Sequence, residues 1–149
     1  MDCYQKKPIS FLEFDSKRIP VFSENSAYVE NYLQISSDHF KGATDNCPNP
    51  FMPEGFTEDS EKITIAMIKE NLKIGGKILD VGCGDGRLLK QLDEFNRFGL
   101  DISSDYLRSL SAEKITLCLS RVEDMPYKDN YFDMITCTDV LEHVEDFNE

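Results

Sequence analysis

Residues 80–86 read Asp-Val-Gly-Cys-Gly-Asp-Gly, three glycines two apart with carboxylates before and among them. Gly82 and Gly84 lack side chains, so a ligand can approach the main chain closely, and either can take φ > 0. One tight turn rarely needs three glycines, so the loop reads as a ligand cradle. Asp139, Glu142 and His143 form a second cluster at i, i+3 and i+4, which is one face if a helix begins there. Two carboxylates and an imidazole suit magnesium or manganese. His143 alone suits general-base work, its unperturbed pKa being ~6.5. His39 reads as an ordinary helix-surface residue.

These groups need elements to position them. Short apolar runs at 77–81, 97–101, 115–119 and 131–137 predict four strands, interleaved with helices over 87–95 and 103–110 and one starting at Asp139. A serine at the start of the second suits an N-cap. The strands lack clean in/out alternation, which predicts a parallel sheet covered on both faces and, with right-handed crossovers, a doubly wound α/β arrangement. Upstream, Ala27, Tyr28, Tyr32 and Ile35 share a helical face within 23–42, with Gly42 as its stop. Three prolines in 46–56 demand a loop. A further helix over 58–72 presents Ile63, Ala66, Met67 and Ile68 as its apolar stripe and ends at Gly75 and Gly76. The chain divides into an N-terminal helical and loop segment, 1–56, and a ligand-binding unit, 57–149.

The 149 residues suffice for one domain with a core. The formal charge of −12 argues against an extended nucleic-acid partner, which needs a basic surface. No apolar run reaches membrane-span length, and the N-terminus lacks the apolar stretch of a signal peptide. Cys3, Cys47, Cys83, Cys118 and Cys137 form an odd, scattered set without C-x-x-C spacing. That pattern suits reduced thiols in a cytoplasmic chain.

The loop spacing constrains the ligand. Dinucleotide loops follow G-x-G-x-x-G and seat a pyrophosphate at the helix N-terminus. Here the spacing is G-x-G-x-G, and Asp80 and Asp85 repel phosphate but suit a cation. An NAD-dependent oxidoreductase is therefore the disfavoured alternative, and the P-loop lysine and hydroxyl are absent too. Asp101 ends the second strand, where an acid takes ribose hydroxyls. A cationic nucleoside fits both facts, and S-adenosylmethionine is such a ligand.

The segments "KILDVGCGDGRLL", "GLDIS", "VEDMPY" and "YFDMITCTDVLEHV" resemble four successive motifs of the class I S-adenosylmethionine-dependent methyltransferases, most of all the small-molecule and quinone-type branch. The resemblance implies a Rossmann-like fold and an enzyme that transfers a methyl group to a small-molecule acceptor. It implies that Gly82, Cys83 and Gly84 line the cofactor's methionine part and that Asp80 bonds its ammonium, directly or through water. Asp101 would accept the ribose hydroxyls and Ile102 would pack on the adenine. Val122 and Glu123 would border the adenine edge, and Cys137 would offer a backbone carbonyl.

One position departs from the family. An acid often stands two residues before the one matching Glu123, and this chain has Arg121, which cannot accept a hydrogen bond from the adenine amino group. Glu123 or Asp124 is left as the substitute. The cluster at 139–143 is similar to the Glu-x-x-Glu-His of metal-dependent O-methyltransferases, with aspartate in the first place. In relatives without metal the histidine lines the pocket, and that reading, with no metal, is preferred. Tyr28, Tyr32, Phe40, Phe51 and Phe56 form either a lid over the substrate or plain core. The family sheet has seven strands and this chain supplies four, which implies a C-terminally truncated sequence with an open apolar edge at 132–137. That edge would suit pairing with another subunit, homo- or hetero-oligomeric. A cofactor-binding module that needs a partner for catalysis is thus the alternative function.

Overall fold

A computed structural model describes residues 3–14, 17–44 and 56–144. Two strands open the chain, β1 (Ser10–Phe14) and β2 (Lys17–Val21), paired antiparallel from Ser10 opposite Val21 to Phe14 opposite Lys17. This hairpin is not foreseen above. Its signal is weak: only Ile19 and Val21 of β2 are buried, and Pro20, which cannot donate to a ladder, interrupts the run.

The expected strands follow. They are β3 (Lys77–Val81), β4 (Asn96–Asp101), β5 (Thr116–Leu119) and β6 (Met134–Cys137). The sheet runs β1-β2-β5-β4-β3-β6, parallel except for the hairpin, whose second strand meets β5 at Val21 opposite Leu119. Order reverses at β3, which has β4 on one side and β6 on the other. Such a reversal opens a crevice beyond the strands' carboxyl ends.

The helices cover mainly one face. They are α1 (Ala27–Thr44), α2 (Phe56–Asn71), α3 (Arg87–Lys90) and α4 (Ser104–Ser109). Ile68 and Leu72 join Ile78, Leu89, Leu92, Leu107, Leu110 and Leu117 in one cluster. The opposite face buries Leu79, Val81, Phe98, Leu100 and Cys118 beneath Cys3, Phe22 and Tyr127. There the cover is an aromatic loop, with Phe132 packed edge-on against Phe98 and Tyr127, and the N-terminal segment bridged to it at Tyr4 and Tyr127.

Four local expectations need correction. Ile63 and Met67 of α2 are 62% and 60% exposed; of the expected stripe Ile68 is buried, with Ile65 partly buried beside it and Leu72 buried just past the helix. The helix begun at Arg87 stops after one turn, yet Leu92 and Phe95 remain buried in the turns that follow. α1 passes through Gly42 to Thr44, starting from Ser26, whose hydroxyl accepts the Val29 amide at 3.2 Å. In place of a helix from Asp139, Leu141–His143 form a 3-10 turn and Asp139 takes φ 54°. Asp139, Glu142 and His143 therefore do not share a helical face. Phe51 and Cys47 lie outside the described residues, as do the side chains of His39, Phe40, Phe56 and Glu142.

Candidate functional site

The crevice is built from the loop after β3 and the ends of β4 and β5. Gly82, Gly84 and Gly86 take φ of 70°, 52° and 75°, the left-handed turn for which glycine is suited. The Gly82 and Cys83 amides donate to the Leu100 carbonyl at 2.8 and 3.0 Å, tying the loop to β4. Asp101 completes the tie: one carboxylate oxygen accepts the Gly84 amide and the other the Ser103 amide, both at 2.8 Å. Each oxygen has two lone pairs, so the carboxylate can still accept hydroxyl donors.

Burial governs the two acids. Asp101 is 5% exposed, and desolvation raises its pKa against the pull of the amides that bond it. Asp80, 4% exposed, is raised to about 6, chiefly by burial; the Thr136 hydroxyl, donating at 2.7 Å, opposes the shift and the nearby Asp101 adds to it. Burial also pushes the Cys83 thiol up, so this cysteine is packing, not a nucleophile.

Gly82, Asp101, Ile102, Val122 and Glu123 line a single cleft of about 60 Å3, or about 500 Å3 when its open mouth is counted. Asp139 and His143 stand on the same cleft. Asp80, Cys83 and Gly84 are not among the residues that line it, and Cys137 is exposed on β6 opposite Val81. Of the aromatic residues expected as lid or core, Tyr28 and Tyr32 line the cleft, and Tyr32 meets the His143 ring edge-on at 6.0 Å. Val140 closes over Gly82: a Cβ there would fall 2.2 Å from a Val140 methyl. Among the described residues no group of three His, Cys, Asp or Glu could hold a metal ion.

Several working residues escaped the sequence reading. Arg121, noted there only as a departure, pairs with Glu123 at 2.9 Å, and its guanidinium lies 5.9 Å from the Tyr28 ring. The Arg121 amide donates to the Ser23 hydroxyl at 2.8 Å, and Ser23 stands 3.3 Å from the Ser120 hydroxyl. Both serines are buried, so Ser23 braces the Ser120–Arg121 stretch of the cleft lining from behind the hairpin. The available signal was a polar residue directly after an apolar run: Ser23 follows Val-Phe, and Ser120 follows "TLCL". A roomier groove of about 430 Å3, between the hairpin and β5, has its Lys17 ammonium engaged with the Leu110, Glu113 and Ile115 carbonyls.

A family described as methyltransferase domain matches residues 79–149. An uncharacterised protein of Methanocaldococcus jannaschii is 36% identical over 84 residues, covering 56% of this chain and 37% of that protein. The ubiquinone biosynthesis O-methyltransferase of Hydrogenovibrio crunogenus is 38% identical over 95 residues, 56% of this chain and 39% of that enzyme. The chain thus spans about two fifths of the curated relatives it matches. Among solved structures, a phosphoethanolamine N-methyltransferase from Haemonchus contortus, in complex with S-adenosylhomocysteine, superposes with a TM-score of 0.60 at 20% identity, over 88% of this chain and 32% of that one, a likeness of fold. The glycine loop after β3 and the acid ending β4, fastened together over one cleft, fall within the stretch that is similar to the methyltransferase domain family.

Proposed function

We propose that this chain binds S-adenosylmethionine across the carboxyl ends of β3 and β4 and transfers its methyl group to a small-molecule acceptor. The observation that carries the reading is the junction of Asp101 with the Gly84 amide, beside a cleft that also presents Ile102, Val122 and Glu123. A Cβ on Gly84 would meet nothing within 4 Å, so the loop leaves open space beside a bare main chain. That donor set suits a nucleoside: a carboxylate for a ribose diol, two aliphatic side chains for a ring, and acids rather than lysines near the loop.

When bound, the cofactor supplies a methyl group on a sulfonium, already a good electrophile. The protein's part is then alignment and exclusion of water. Asp101 accepts the ribose hydroxyls, Ile102 and Val122 hold the adenine, and Gly82 and Gly84 admit the methionine part close to the backbone. Asp80 sets a negative charge behind that part. In this reading His143, exposed at the rim beside Tyr32, takes the acceptor's proton at a ring nitrogen, and Tyr28 and Tyr32, which line the cleft, serve as its lid. The likeness to ubiquinone O-methyltransferases supports a small, ring-bearing acceptor. Among the described residues no helix is long and apolar enough to cross a membrane, and Cys3, Cys83, Cys118 and Cys137 are in thiol form, which supports a cytoplasmic setting.

Titration calorimetry tests the core of the reading. S-adenosylhomocysteine should bind and NADH should not; NADH binding with no response to S-adenosylhomocysteine overturns it. A second reading, a cofactor-binding module that needs a partner for turnover, is favoured by β6, outermost in the sheet with Ile135 55% exposed. Turnover by a chain that elutes as a monomer removes that alternative.

A further inference from the structure

We propose that the turn after β6 is a displaceable plug: Val140, seated on Gly82, shuts the amino-acid end of the cleft, and the turn must swing out before S-adenosylmethionine can enter fully. The inference rests on the cofactor reading above and adds a conformational step to it. Size is the first observation. Sites for small ligands enclose about 300–1,000 Å3, whereas this cleft encloses about 60 Å3. The two loop glycines differ in what stands over them. The space beside Gly84 is clear, but a Cβ on Gly82 would fall 2.2 Å from a Val140 methyl. That side chain therefore rests on bare backbone that the methionine part needs.

The turn is built to move. It follows β6, the outermost of the described strands on its side of the sheet. Asp139 takes φ 54°, left-handed backbone that favours glycine, so the closed turn carries strain at its base. Leu141–His143 make a single 3-10 turn, in which the His143 and Val144 amides donate to the Val140 and Leu141 carbonyls. Those bonds lie within the turn and travel with it. Val140 packs on the core cluster of Leu79, Val81 and Leu100, while Leu141 is 50% exposed. Across the cleft the His143 ring meets Tyr32 of α1 edge-on, so the turn and α1 abut there. A ligand has to outcompete this closed form. When the competent form is a minor fraction, apparent affinity drops by that fraction.

Titration calorimetry on the full chain, on Val140→Ala and on Val140→Thr compares two ligands. One is S-adenosylhomocysteine; the other is methylthioadenosine, which keeps the nucleoside and the sulfur but lacks the amino-acid part. Either substitution should tighten S-adenosylhomocysteine by about 3- to 10-fold, the effect of weakening one partly buried aliphatic contact in the closed form. Methylthioadenosine, which stops short of the plug, should change by less than about 2-fold. Threonine keeps the shape of valine, so it carries the test should the alanine variant fail to fold. Unchanged or weaker binding of S-adenosylhomocysteine would make Val140 a fixed wall and overturns the proposal, as does an equal gain by both ligands. If the parent binds neither compound, the cofactor reading fails and the plug with it.

Discussion

Gly84 donates its amide to the Asp101 carboxylate at 2.8 Å, so the residue that ends β4 also holds the loop that follows β3. One side chain thus shapes the crevice from both strands. Asp101→Asn offers one acceptor oxygen and turns an NH2 toward the other amide. One of the Gly84 and Ser103 N–H groups then loses its partner, at a cost of about 1–3 kcal/mol. Affinity for S-adenosylhomocysteine should fall about 10-fold or more, because the charged acceptor for the ribose is gone. A melting curve and a calorimetric titration check the two effects separately. Lower stability with unchanged affinity would reduce Asp101 to a loop anchor.

Gly82 and Gly84 should not respond alike to substitution. Both Gly82 and Gly84 have positive φ, so alanine at either meets a left-handed-backbone cost of about 1–2 kcal/mol. At Gly84 the new methyl finds nothing within 4 Å and the cost stops there. At Gly82 it would lie 2.2 Å from a Val140 methyl, and overpacking adds about 1–3 kcal/mol. Urea unfolding should rank Gly82→Ala below Gly84→Ala. Adding Val140→Ala to the first should recover the steric part and leave the backbone part.

Much of this site was readable before any coordinates because it is local. The run "KILDV" ends in the bare loop, and "GLD" ends in the acid, so the residues that meet lie at the ends of strands whose apolar pattern announces them. What escaped depends on long-range pairing. Nothing local tells Ser23 that it will stand against Ser120, 97 residues away, because the contact follows from β2 joining β5 at a single pair. The hairpin was missed for a related reason: Pro20 and a half-exposed first strand suppress the alternation that marks a strand. Arg121 misled in another way. Its charge was visible, but its pairing with Glu123 and its place against Tyr28 of α1 were not.

Asp80 should make stability depend on pH in a definite direction. Its pKa in the fold is about 6, above the ordinary 3.8, mainly through burial. The folded state therefore holds a proton that the unfolded chain gives up between those values. The stability linked to this group is full below about pH 4 and is lost as pH rises through about 6, to a total of about 3 kcal/mol. Asp80→Asn keeps an oxygen for the Thr136 hydroxyl and removes the charge. The variant should gain on the parent steadily from pH 4 to 7, in urea titrations at each pH. If Asp80 faces the cofactor's ammonium, the same variant should bind S-adenosylhomocysteine more weakly at pH 7. A parallel pair of stability curves would show that the carboxyl is not buried as described.

Ser23→Ala tests whether the N-terminal segment is part of the site. Ser23 is 4% exposed and its hydroxyl accepts the Arg121 amide, so alanine leaves a buried N–H without that acceptor, costing about 1–3 kcal/mol. The loss should be local. Phe22 donates its amide to the Leu119 carbonyl at 2.9 Å, the bond next to the single β2–β5 pair, and its hydrogen exchange should accelerate in the variant. Amides of β3 and β4, joined along five residue pairs, should keep their protection apart from the global loss. Since Arg121 lines the cleft and pairs with Glu123, affinity for S-adenosylhomocysteine should fall with the same substitution. Faster exchange at Phe22 with unchanged affinity would make the hairpin a cover for the sheet edge and nothing more; both changes together make residues 22–32 a wall of the nucleoside cleft.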